Sequence, residues 1–179
     1  MLQIGSQKGG TLSFGGVSAS IPALLLVAAG AFKLRRPYTF PSQVVAYDIL
    51  PRQPSRAVGY VLPPLEIVTG VLLVFRTDPW SLIAAGLFIA FVFALLTNLY
   101  RGNRELSCAC FGPLEGHISG AHVLGNLSLA SLSLVAWSSH SVTTVTDVTT
   151  AATLLLTVLI TTRGVASLRA SSELMEGVS

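Results

Sequence analysis

The chain has 179 residues, 51% of them apolar and 11% charged, with a formal net charge of +3. A soluble domain carries about 25% charged residues, so a water-facing surface over the whole chain is excluded. The 11 Lys and Arg residues are scattered between apolar runs instead of lining one face, which speaks against nucleic-acid binding. The length suits one domain covering residues 1–179, and the composition points to an all-α, multi-pass membrane helical bundle of four to five transmembrane helices in a lipid bilayer.

Gaps between charges locate the spans, since about twenty predominantly apolar residues are needed to cross the hydrocarbon as a helix. Residues 9–32 carry no charge, and the first span is predicted at 14–34. The apolar run continues into "FKLRRP" with no polar cleavage region, so it is read as a retained span and not a signal peptide. The second span, 57–76, contains a single acid, Glu66. The third, 80–100, is uncharged and has Trp80 and Tyr100 at its ends, where interfacial aromatics belong. The fourth, 118–138, is richer in Ser and Gly, and the fifth, 149–168, is threonine-rich and interrupted by Arg163. "HSVTTVTDVTT" is expected to be a loop entering that fifth span. Backbone groups in lipid must be satisfied within the segment, which requires helices. Ala28, Gly30, Gly70, Gly86 and Gly125 are the small residues expected at close helix contacts.

Charges in the connections predict an orientation. Lys33, Arg35, Arg36, Arg52, Arg56, Arg101, Arg104, Arg163 and Arg169 fall on one side, against Lys8 and Arg76 on the other. The positive-inside rule then places the loop between spans three and four in the cytoplasm and the N-terminus outside the cell membrane. Lys33, Arg35 and Arg36 read as anchors at the headgroups, and "YTFPSQVVAYDIL" as a short amphipathic helix along the interface.

Both cysteines of the chain, Cys108 and Cys110, stand in "RELSCACFGPLEG" with Ala109 between them. Two residues of chain span at most about 7 Å, and disulfides prefer Cα separations of about 4.4–6.8 Å. A bridge is therefore attainable only with a bent backbone, and strained accessible bridges are the exchange-competent ones. Arg101, Arg104 and His117 are near enough in sequence to stabilise a thiolate. The alternatives are a structural bridge, half of a zinc site drawing on His117, His122 and His140, or soft copper(I) held by two thiolates. No metal site follows from the spacing. The "FGP" that follows lets the chain turn before the fourth span.

Glu66 follows "LPP" within a span. An intramembrane acid faces the bundle interior and has a partner or a function. It is read either as a proton site or polar contact to a quinone or partner helix, or as a buried acid holding helices in register. The first-loop basic residues are among its candidate partners, and Asn126 invites the same two readings.

The order of "KLRRPYTFPSQVVAYDILP" (33–51), "LPPLEIVTGVLL" (62–73) and "RGNRELSCACFG" (101–112) resembles the MauE family, within the wider MauE/DoxX group, over roughly residues 30–130. Where relatives commonly carry Arg-Asn after the cysteines, this chain has Gly125-Asn126. The resemblance implies a small helical bundle associated with thiol redox proteins, with Cys108 and Cys110 as a redox pair. It also implies a role in maturing an exported protein, in the name-giving system the disulfide-rich small subunit of methylamine dehydrogenase. The expected partners are a thioredoxin-like protein or the exported client; a quinone is the one cofactor suggested. A non-catalytic assembly factor or membrane subunit, and a copper-handling protein, stand as alternatives.

Overall fold

The computed structural model describes residues 14–75, 79–103, 118–139 and 146–157. They form helices α1 (Phe14–Arg35), α2 (Thr39–Ala46), α3 (Arg52–Phe75), α4 (Trp80–Tyr100) and α5 (Gly120–Ser139), and residues 146–157 are helical as well. No strand occurs among the described residues. α1, α3, α4 and α5 are long and apolar enough to cross a bilayer, so the protein is an all-α, multi-pass membrane bundle.

The distribution of side chains is inverted relative to a soluble protein. Ser20, Thr69, Ser81, Asn98, Asn126 and Ser133 are buried, while Val61, Val68, Phe93, Leu124 and Leu134 are exposed. Exposed apolar and buried small polar residues are what a lipid solvent selects. The buried serines need no tertiary partner: Ser20 and Ser133 donate to the carbonyls of Gly16 and Leu129, four residues back, at 2.8 and 2.9 Å. They therefore pack as small residues whose hydroxyl is already satisfied.

The core joins α1, α3, α4 and α5 through Leu26, Leu73, Phe88, Leu129 and several alanines. α1 packs most extensively on α3, and α4 on α5. Glycine permits the first of these contacts. A Cβ on Gly70 would lie 2.7 Å from the Ala23 carbonyl oxygen, and one on Gly30 would lie 2.7 Å from that of Pro63. Ala28 and Gly86 do not serve in this way: Ala28 is exposed, and a Cβ on Gly86 would meet nothing within 4 Å. On a helix, one face in three or four meets a neighbour, and these two lie on outward faces.

Two boundaries differ from the sequence expectation. α3 begins at Arg52, five residues before the predicted 57, and its exposed first turns carry Arg52 and Arg56 outside the uncharged run. These turns pack against α2, where Gly59 lies against Pro41, a Cβ there falling 2.5 Å from the Pro41 Cα. The final threonine-rich stretch is already helical at residue 146, before the predicted 149, and residues 158–168 of the predicted fifth span lie outside the described residues. Its threonines satisfy their hydroxyls on the preceding turn, Thr150 on the Thr146 carbonyl at 2.7 Å and Thr153 on that of Thr149 at 3.0 Å. That local bonding offsets the strand preference of a β-branched run.

Candidate functional site

Pro63 and Pro64 stand inside α3, and each lacks the N–H that would bond the carbonyl one turn back. Glu66 follows them, about 21 Å along the helix from Arg52 at 1.5 Å per residue. It faces α1 and is fully buried, and its Oε1 forms an ion pair with the ammonium of Lys33. Lys33 lies in the last turn of α1, yet it is only 5% exposed. The headgroup-anchor expectation therefore fails for Lys33, whose stem turns inward because a buried carboxylate offers a better partner than the interface. Arg35 and Arg36 do remain exposed.

Aromatic faces complete the surroundings of the ammonium. The Lys33 nitrogen sits 4.9 Å from the ring centroid of Phe40 on α2 and 5.0 Å from that of Phe91 on α4, both within cation–π range. Four helices thus meet at one charge: α1 supplies it, α3 neutralises it, and α2 and α4 cover it. On the other side of the pair, Glu66 Oε2 and Thr69 Oγ1 are buried with no hydrogen-bond partner among the described residues.

The expected short helix after span one is present as α2, with Phe40 and Pro41 buried. Behind it, between α2, α3 and α4, lies a cavity of about 240 Å3 whose wall includes Lys33, Phe40, Tyr47, Leu62 and Phe91. The connection from α2 to α3 is tied to the end of α4. Asn98, buried on α4, donates to the Tyr47 carbonyl at 3.3 Å, and the Arg101 guanidinium donates to the Asp48 carbonyl at 2.7 Å. Asp48 has a left-handed backbone (φ 50°), which Asp tolerates better than most residues. We expect Asn98→Ala to lower stability by about 1–2 kcal/mol and to hasten proteolysis within residues 47–51. Thermal unfolding in detergent and limited digestion would measure this; an unchanged digestion pattern would show that the tie is not holding the connection.

α4 ends in a Schellman turn: Gly102 (φ 77°) and Asn103 donate to the carbonyls of Leu99 and Asn98 at 3.2 and 3.0 Å. Cys108 and Cys110, with Arg104 and His117, lie outside the described residues, but the points where their loop leaves and rejoins the bundle are defined. It leaves at Asn103, whose amide donates to Asn98 Oδ1 at 3.4 Å. It rejoins at Ile118, which is buried with Tyr47 and Leu95. The second end meets the α2–α3 connection at Tyr47, and the first is linked to it through Asn98.

Asn126 is buried and donates to the His122 carbonyl one turn back at 2.8 Å, which favours its structural reading. His122 Nδ1 accepts from the Ser119 backbone N–H at 3.3 Å and pairs with the Ser119 hydroxyl at 3.0 Å, the reciprocal contact of a capping box at the start of α5. Lys33 is one of the first-loop basic residues expected as candidate partners of Glu66; Phe40, Phe91 and Asn98 were not legible as site residues in the sequence. The one available cue was that Glu66 needs a cation within reach.

Comparison with known proteins agrees with this architecture. The family model for methylamine utilisation protein MauE matches residues 12–139. A MauE protein from Paracoccus denitrificans is 37% identical over 115 residues, 63% of this chain and 62% of that protein. One from Methylophilus methylotrophus is 34% identical over 116 residues, 63% and 61% of the two chains. A third, from Paracoccus versutus, is 33% identical over 118 residues, 64% and 63%. The chain thus spans less than two thirds of the length of the curated relatives it matches. No solved structure matches it. A family match across all four apolar helices, carrying the Glu66 segment and the Cys-x-Cys pair, shows that the chain belongs to the MauE family.

Proposed function

We propose that this protein supports thiol–disulfide exchange during maturation of an exported protein in methylamine utilisation, with Cys108 and Cys110 as the exchanging pair. The observation that carries this is the placement of the chain's only two cysteines one residue apart, between the end of α4 and the start of α5. Exchange begins when a partner thiolate attacks the Cys108–Cys110 bridge, forming a mixed disulfide and releasing one thiolate here. A second partner thiol then attacks the mixed disulfide, leaving the partner bridged and two thiols here. Arg101, exposed near the loop's start, lowers the cost of the released thiolate. The partner is a thioredoxin-like protein or the exported client itself. Family membership supports the methylamine context and the small subunit of methylamine dehydrogenase as client.

The orientation follows from charge. With Lys33 withdrawn into the bundle, the charge count along the sequence still assigns eight Lys and Arg residues to the side of the cysteine loop against two to the other. The positive-inside rule supports a cytoplasmic loop. The Cys108→Ser/Cys110→Ser variant, expressed at wild-type level, is expected to leave client maturation at background. Normal maturation with this variant would instead identify a membrane assembly factor that does not use its thiols. Labelling with an impermeant maleimide from outside intact cells would reverse the orientation.

A further inference from the structure

We propose that the cavity between α2, α3 and α4 binds the ring of a membrane-soluble quinone, with the Lys33 ammonium donating a hydrogen bond to a ring carbonyl. The site stands on geometry; only the choice of a redox ligand rests on the thiol-exchange reading.

The occupant must come from the bilayer. Val58 on α3 and Phe93 on α4 line the cavity and are also 37% and 63% exposed, while Leu50, 45% exposed, lines it from the α2–α3 connection. The opening therefore runs between exposed apolar side chains of two transmembrane helices. At about 240 Å3 the space falls a little below the roughly 300–1,000 Å3 of pockets for drug-sized ligands. It suits a single substituted ring whose tail extends through the opening.

The wall selects what that ring carries. Phe40, Tyr47, Phe91 and Phe93 offer flat apolar surfaces, which favour a planar partner. The lining residues with polar side chains are Lys33, Gln43, Tyr47 and Ser55, and the Ser55 hydroxyl donates to the Leu50 carbonyl at 2.9 Å. Lys33 has three N–H donors and, among the described residues, one hydrogen-bond acceptor, Glu66 Oε1. Its other contacts are ring faces, which an acceptor oxygen can join. A fatty acyl chain has no such oxygen. An anionic headgroup meets a charge that Glu66 has already cancelled, while the exposed Arg35 and Arg36 are absent from the lining. A neutral conjugated dicarbonyl satisfies both the flat walls and the spare donors. A bound quinone accepts two electrons and two protons, the number released when two thiols become a disulfide.

The test uses the full-length protein in nanodiscs and a short-tailed azidoquinone, photolysed and mapped by peptide mass spectrometry. The expected result is saturable labelling of α2, α3 or α4, competed by decylubiquinone. The charge-balanced variant Lys33→Met/Glu66→Met should weaken that competition about tenfold or more, as loss of a hydrogen bond to a charged donor implies. Ala90→Phe, which fills the cavity and leaves the ion pair intact, should abolish it. Labelling that decane competes as well as decylubiquinone, or that neither variant alters, would overturn the proposal. Cys108→Ser/Cys110→Ser should bind as wild type does. If that variant both binds and matures the client normally, the thiol reading fails and the site stands. If maturation depends on the cysteines but no saturable labelling occurs, the site fails and the thiol reading stands.

Discussion

Replacing Lys33 with Met should destabilise the bundle by about 3–5 kcal/mol, because it leaves the fully buried Glu66 without its cation. Adding Glu66→Met to the same chain should restore most of the loss, since two apolar side chains of similar length fill the space without desolvated charge. The double-mutant cycle therefore shows a large coupling, where exposed ion pairs give at most about 1 kcal/mol. The reason is local: both partners are withdrawn from water, and the ring faces of Phe40 and Phe91 supply the rest of the ammonium's surroundings. Reversible unfolding in mixed micelles would measure the cycle. Equal losses for Lys33→Met and the double variant would show that the pair contributes little beyond packing.

The second large effect is steric. Gly70→Val places a Cβ 2.7 Å from the Ala23 carbonyl oxygen and 2.8 Å from Val27 Cγ2. The oxygen belongs to the α1 backbone and cannot rotate away, so the helices must separate along their main contact. Overpacking of this kind costs about 1–3 kcal/mol, and the γ-methyls of Val add to it. Gly86→Val is the matched control: with nothing within 4 Å, it should change stability by less than about 0.5 kcal/mol. The same assay reads both, and an equal response at positions 70 and 86 would mean that α1 and α3 are not packed as described.

How far the sequence foretold these features depends on which physical force set each one. The span at 80–100 is reproduced at both ends by Trp80–Tyr100, because an uncharged run bounded by interfacial aromatics leaves a helix nowhere else to start or stop. The start of α3 was not legible, since Arg52 and Arg56 read as loop residues. What makes that turn helical is its contact with α2, which no local pattern contains. Lys33 beside Arg35 and Arg36 reads as a third anchor; only the approach of α3, at a register set by Gly30 and Gly70, brings Glu66 within its reach. Asn98 was silent for the same reason, its role being defined by a carbonyl 51 positions earlier in the chain. Intramembrane polarity announces that a partner exists, but packing chooses it.

The ion pair also bears on how the protein enters the membrane. Lys33 and Glu66 are 33 residues apart, so at about 5–20 residues per second of synthesis the lysine is made roughly 2–7 s before its counter-charge. During that interval its place in the last turn of α1 lets the long stem carry the ammonium out to the headgroups. There it joins Arg35 and Arg36 in resisting passage of that end of the nascent helix across the bilayer. When α3 arrives, the ammonium is drawn inward to the new carboxylate and the orienting charge becomes a fastening between the first and second transmembrane helices. One side chain thus acts twice in biogenesis, first by steering insertion of the leading hairpin and then by closing it.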